Sequence, residues 1–172
     1  MKVAIVQPYS FPYIGYFQLI KAVDVFVFYD DVHFIKKGWI NRNNILVNGN
    51  SSLFTIPLVK PSQNSLINEI GLSIDDKWRS TFYKKLSHSY GKAPYFREVM
   101  ALIQPLLDME YNNIAQLAIE SVMSISNYLG LNTEFKVSSE HFNESRGMDR
   151  ADRLIEITKS LRGDIYVNPT GG

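Results

Sequence analysis

Within the first thirty-one residues the chain spells a strand, a helix and a second strand, and no other feature limits its fold so tightly. Lys2–Gln7 (KVAIVQ) is short, apolar and β-branched, the composition of a buried strand. Pro8 and Pro12 break it. Tyr13–Val23 sets Ile14, Phe17, Leu19, Ile20 and Val23 at helical spacing. Asp24–Tyr29 (DVFVFY) is a second buried strand and stops at Asp30-Asp31. A helix between two such strands makes a βαβ crossover, so the strands are expected to run parallel.

The middle of the chain reads differently. Asn41–Val47 and Leu53–Leu58 are strand-like runs around Asn48-Gly49-Asn50, a hairpin signal. A polar loop with Pro61 leads to a short strand expected over Glu69–Ile74. Helices are expected at Asp76–Tyr90, at Tyr95–Leu107 with an interruption near Pro105, and at Asn113–Leu129, closed by Gly130. Thr133–Val137 is a third core strand, Ser138–Arg153 a loop feeding a helix over Asp149–Leu161 that Asp149 caps, and Asp164–Asn168 a fourth strand. Strands alternating with helices predict one α/β domain over residues 1–172, an open and mainly parallel Rossmann-like sheet. The hairpin and helices form an insertion at about residues 41–130.

Composition narrows the function classes. Hydrophobic residues at 45% and charged residues at 20% support a packed core rather than disorder. A net charge of +1 provides no basic field for general nucleic-acid binding. Without cysteine there are no disulfides, thiolate metal sites or cysteine nucleophiles. His33, His88 and His141 stand at no metal-ligand spacing, so no metal is expected. The opening apolar run ends at Pro8, far short of a secretory or membrane-spanning segment, and the expectation is a cytoplasmic protein without membrane insertion. Ten tyrosines and an aromatic content of 13% suit a binding cleft as well as the edge of a core.

Ligands of open α/β sheets sit beyond the carboxyl ends of the strands. Three such ends carry special residues: Gln7-Pro8-Tyr9 and the loop to Gly15; Asp30-Asp31-Val32-His33; and Asn168-Pro169-Thr170-Gly171. Ordinary turn polarity explains Asp, Asn and Gly one at a time. It explains less well a glutamine closing a buried strand and the aromatics Tyr9, Tyr13 and Tyr16 that follow. The helix start at Tyr13–Gly15 offers free N–H groups to an anion. Asp30–Asn44 then gathers Asp30, Asp31, His33, Lys36, Lys37, Trp39, Asn41, Arg42 and Asn43 in one loop. The carboxylates can bind a metal, orient a ribose or act as a base. His33 can be a base oriented by a carboxylate, Lys36, Lys37 and Arg42 can hold phosphate, and Trp39 can stack on a sugar or base. A solvated loop of alternating charge is the plainer reading of the same residues. Arg146, Arg150 and Arg153 at the last helix entrance can face a phosphate or serve as ion-pair partners.

Two resemblances add to this. The Pro12–Tyr16 spacing is similar to that around the HIGH-type motif of nucleotidyltransferases, with Tyr16 in place of its second histidine. More extensively, the chain resembles the WbqC-like protein family. The resemblance rests on Gln7, Pro8, Pro12, Gly15, Tyr16 and Phe17, then Asp30-Asp31-Val32, then Lys36, Trp39, Asn41, Arg42 and Asn43. It continues through Trp78, YGKAPYF at Tyr90–Phe96 and the final RLIEITKSLRGDIYVNPTGG. Family members normally run on past the Gly-Gly, so a C-terminal family segment is expected to be missing.

The resemblance implies a transferase of cell-surface polysaccharide biosynthesis, chiefly of the O-antigen of lipopolysaccharide. It implies glycyl, other amino-acyl or acyl transfer to the amine of a nucleotide-linked amino sugar, the expected partner. Asp30, His33 and Asp31 are then the catalytic candidates, with Asp30 expected to face the ligand. Gln7, Tyr9, Tyr13, Gly15, Tyr16, Lys36, Trp39, Asn41, Arg42, Asn43, Asn168 and Gly171 are the substrate-binding candidates. No motif demands a cofactor, and use of ATP stays open. The alternatives are a non-catalytic module that binds a nucleotide sugar or carrier, and a nucleotidyltransferase-like enzyme that forms an acyl-adenylate.

Overall fold

The computed structural model describes residues 1–168. Along the chain, β1 (Lys2–Val6), α1 (Ile14–Lys21) and β2 (Val25–Phe28) come first. An insertion follows: β3 (Arg42–Val47), β4 (Asn50–Thr55), a 3-10 turn at Ile67–Glu69, α2 (Asp76–Tyr90), α3 (Phe96–Asp108) and α4 (Ile114–Tyr128). The chain then closes with β5 (Glu134–Val137), the single turn α5 (Ser138–His141), α6 (Arg150–Ser160) and β6 (Ile165–Tyr166).

β1, β2, β5 and β6 form one parallel sheet in the order β5-β2-β1-β6. The expected α/β architecture is therefore present. Strand alternation sorts the side chains into two layers. Ala4, Phe26 and Phe28 pack beneath α1 and α4, against Phe17, Ile20 and Val122. Val3, Ile5, Val25 and Val27 face the other way, onto Phe142 and Ile157 of the α5–α6 segment. A third core belongs to the insertion, where Phe54, Ile56, Phe82, Leu86 and Leu107 meet Ile114 and Leu117. The first turns of α4 thus serve the insertion core and its later turns the sheet.

Local chemistry explains most boundaries. Asn48 (φ 51°) and Gly49 (φ 78°) are both left-handed, the type I′ turn that matches strand twist in a two-residue hairpin. Asp75, Asn113 and Asp149 cap α2, α4 and α6 by accepting from Trp78 N, Gln116 N and Ala151 N. Three expectations are corrected. α3 runs unbroken through Pro105, because the carbonyl left without a donor is that of Ala101 on the exposed face of the helix. Glu69–Ile74 is no strand: the backbone turns at Ile67–Glu69 and pairs with the Leu58 segment through one bridge at Leu72. Ser138–His141, expected in a loop, forms α5.

Gly163 marks where α6 returns to the sheet. A methyl group there would stand 2.7 Å from Val3 Cγ2 and 3.0 Å from the Thr158 carbonyl oxygen. Gly163→Ala is therefore expected to destabilise the fold by about 1–3 kcal/mol through overpacking. The measurement is a shifted urea midpoint with unchanged slope. An unmoved midpoint would show that the turn yields freely.

Candidate functional site

A cleft of about 730 Å³ opens at the carboxyl ends of β1, β2 and β6. Its position follows from topology. The chain lays β2 and β5 to one side of β1, then crosses back to lay β6 on the other, so the connections diverge there. Val6 and Gln7, Tyr29 and Asp31, and Tyr166 and Asn168 bring the three strand ends to the cleft. Tyr9, Tyr13, Gly15 and Tyr16 line it from the α1 side, Gly147, Met148, Arg150 and Arg153 from the α6 side, and His33, Ile35 and Leu66 from the adjoining loops. A more open depression on α2 has Arg79 2.9 Å from Asp76 and Tyr83 2.8 Å from Asp108, with Lys84 also in its lining.

The two adjacent carboxylates have different surroundings. Asp31 lines the cleft, and Asp30 does not, the reverse of the expected orientation. Asp30 Oδ1 accepts from Ser139 N at 2.9 Å and lies 2.9 Å from Ser138 Oγ. Its Oδ2 accepts from Ser139 Oγ at 2.6 Å and from Asn68 Nδ2 at 3.2 Å. Asp30 is thus a buried tie between the end of β2, the start of α5 and the insertion. Asp31 Oδ2 accepts from Arg153 Nη2 at 2.6 Å and Arg146 Nε at 3.0 Å, and Ser138 Oγ touches its Oδ1. Burial pushes the Asp31 carboxyl up, but the arginine and serine hydrogen bonds outweigh it and hold the group below its ordinary range. Arg153 also donates to Ser145 Oγ at 3.1 Å and stacks 4.8 Å from the centre of the Tyr29 ring. The charge of Arg153 is therefore neutralised in place. Arg150 lines the cleft, is exposed, and makes no ion pair among the described residues.

The aromatic wall is built from the bottom up. Tyr16 is buried and donates its hydroxyl to the Gln7 carbonyl at 2.9 Å, which binds α1 to the end of β1. The Tyr9 ring leans on it at 5.7 Å. Burial raises the Tyr9, Tyr16 and Tyr29 phenols above their ordinary range, so they stay protonated at neutral pH. A side chain on Gly15 would come within 2.2 Å of the Tyr13 ring, so this glycine lets Tyr13 fold over the first turn of α1. His33 is exposed on the cleft wall, its backbone pinned by a bridge to Leu66.

The rest of the polar loop lies outside the cleft lining. Asn41 Nδ2 donates to the Ile56 carbonyl at 2.8 Å. Arg42 donates to the carbonyls of Gly38, at 3.0 Å, and Lys37. Asn43 Nδ2 donates to the Phe11 carbonyl at 2.6 Å. These three side chains lace their own loop to the residue after β4 and to the Phe11 segment, each by N–H donation to backbone carbonyls. Lys36 and Trp39 are exposed and not among the cleft-lining residues. Asn168 lines the cleft, and Gly171 lies outside the described residues. Sequence reading missed Ser138, Ser139 and Asn68 as partners of Asp30. A signal existed: β5 lies parallel to β2 with Val137 opposite Phe28, which sets Ser138 beside the acidic strand end. Among the described residues, no group of three or more His, Asp or Glu side chains is placed to hold a metal ion, and no helix is long and apolar enough to cross a membrane.

Removing the Asp31 charge should strand a buried guanidinium. Asp31→Asn is expected to lower stability by about 3 kcal/mol, the scale for breaking a buried pair. The native carboxyl is held below its unfolded value, so its contribution is present above about pH 4 and lost as pH falls through the native pKa. Urea melts across the acidic range should show wild-type stability falling there, and the variant should lack that part of the fall. Equal stability at neutral pH would mean that water in the cleft solvates Arg153 adequately.

An uncharacterized protein of Mycobacterium tuberculosis (strain ATCC 25618 / H37Rv), Rv1507c, is 33% identical to this chain over 169 residues, which cover 97% of this chain and 71% of the relative. No solved structure matches the chain. The WbqC-like protein family matches residues 7–172, from the glutamine that closes β1 onward, and the chain belongs to that family.

Proposed function

We propose that the chain is a transferase of cell-surface polysaccharide biosynthesis, which moves a glycyl, other amino-acyl or acyl group onto the amine of a nucleotide-linked amino sugar. One observation carries this reading: one cleft at the sheet's switch point holds an exposed imidazole, His33, a cation without an ion pair among the described residues, Arg150, and the aromatic wall of Tyr9, Tyr13 and Tyr16. Arg150 suits the phosphates of the nucleotide, since its guanidinium can hold an anion by charge-assisted hydrogen bonds. The tyrosines suit a sugar or base face.

In the proposed reaction His33 takes a proton from the sugar amine. The nitrogen lone pair attacks the acyl carbonyl carbon, the C–N bond forms, and the donor's activating group leaves with its electron pair. Asp31, already committed to Arg146 and Arg153, orders the cleft wall rather than moving protons. Asp30, whose two oxygens accept from Ser139 and Asn68, holds the strand end in place. Formation of an acyl-adenylate in the manner of HIGH-type enzymes has less support. The position of a second motif histidine belongs to Tyr16, whose hydroxyl is used on Gln7.

The test is mass spectrometry of nucleotide-linked amino sugars incubated with the protein, glycine or acyl donors, and ATP present or absent. The expected product carries one added amino-acyl or acyl group on the sugar nitrogen. His33→Gln should cut turnover about 10²–10⁴-fold with little change in sugar-nucleotide affinity. Arg150→Ala should raise KM more than it lowers kcat. Tight binding without any product would return the chain to the class of binding modules.

A further inference from the structure

Residues 32–68 contain no Asp or Glu, while Lys36, Lys37, Arg42 and Lys60 lie in that stretch. Arg42 is spent on the carbonyls of Gly38 and Lys37, which leaves Lys36 and Lys37 as the exposed cations of the turn. On either side of them, Ile35 is 52% and Trp39 48% exposed. Tyr13 and Ile14, at the start of α1, are 64% and 65% exposed. The two apolar pairs come from separate loops that are joined: Ser10 N donates to the Ile40 carbonyl at 3.0 Å and Asn43 Nδ2 to the Phe11 carbonyl at 2.6 Å. Ile35 and Tyr13 both line the cleft, so these two exposed residues sit at its mouth, and Ile14 and Trp39 follow them along the two joined loops.

What sets this turn apart from other exposed apolar positions is that isoleucine and tryptophan flank paired lysines with no acidic residue in the loop. The cleft does not use Trp39, which is not among its lining residues. Tryptophan and tyrosine beside lysine, with aliphatic side chains at the tip and no acidic neighbour in the loop, is the composition of a segment that lies in a membrane interface. The Arg42 clamp and the left-handed Lys37 (φ 61°) hold the turn in one shape, so little ordering is left for docking.

We propose that the mouth of the cleft docks on an anionic lipid surface: Ile35, Trp39, Tyr13 and Ile14 enter the headgroup region while Lys36 and Lys37 meet lipid phosphates. Docking holds the cleft opening at the bilayer without any segment crossing it. The vesicle test reads separately from the transfer chemistry, because the residues it varies, Ile35, Lys36, Lys37 and Trp39, have no assigned part in the proposed reaction, whereas Tyr13 also lines the cleft.

Flotation of the whole chain with phosphatidylcholine vesicles, with or without phosphatidylglycerol in equal part, tests it. Binding is expected on the anionic vesicles alone and should weaken with salt. K36Q/K37Q should lower the partition coefficient about tenfold or more, because each lysine near an anionic surface contributes separately. I35S should weaken binding at every salt concentration. Brominated lipid gives a readout that needs no destabilising variant. It should quench Trp39 emission in the wild type, and W39F should abolish that quenching, because Trp78 is stacked on Phe82 and donates to Thr55. Absence of binding to anionic vesicles, or equal binding by wild type and K36Q/K37Q, overturns the proposal. So does a dimer in solution that I35S dissociates, or lysine-dependent capture of an acidic protein without vesicle binding.

Discussion

The carboxylate of Asp31, sealed against Arg153 and Arg146, is the contact on which the cleft depends. Burying a carboxylate and a guanidinium removes both from water, a loss recovered only when geometry is close and the remaining polar atoms are satisfied. Here Arg153 reaches Asp31 at 2.6 Å, Ser145 at 3.1 Å and the Tyr29 ring at 4.8 Å. The pair pins the start of α6 to the end of β2. It thereby sets the width of the space in which Arg150, Tyr29 and Gln7 meet.

Asp30 extends the same anchoring in the other direction. Its backbone carbonyl accepts from Asn68 N at 3.1 Å and its carboxylate from Asn68 Nδ2, so the insertion is fastened where the sheet's second strand ends. α4 fastens it again from behind, with Ile114 and Leu117 in the insertion core and Ile119 and Val122 beneath the sheet. The loop that starts at His33 is itself tied down, by the Leu66 bridge at one end and by the Ser10–Ile40 and Asn43–Phe11 bonds at the other. This arrangement places an exposed imidazole and the apolar, basic turn after it at the opening of the cleft rather than on a loose excursion.

Much of this was readable from residues near one another in the chain. The βαβ unit, the Asn48-Gly49 turn and the bounds of α2 follow from periodicity, turn chemistry and capping, all of which act over a few residues. The cleft's position followed from strand ends. The polar loop was harder. Asn41, Arg42 and Asn43 carry the same groups whether they meet a ligand or a backbone carbonyl, and composition cannot distinguish the two. Pro105 misled for a related reason, since its cost depends on whether the unbonded carbonyl faces water.

By itself the sequence determined the parallel strands, the inserted hairpin and the family, because each is written in local pattern or in motif. Only the tertiary structure decided which of two adjacent aspartates lines the cleft and which is a tie. Arg153 stands 122 residues from Asp31, and Ser139 stands 109 residues from Asp30. A carboxylate's role is set by the charges and donors packed around it, and those arrive only when the sheet closes.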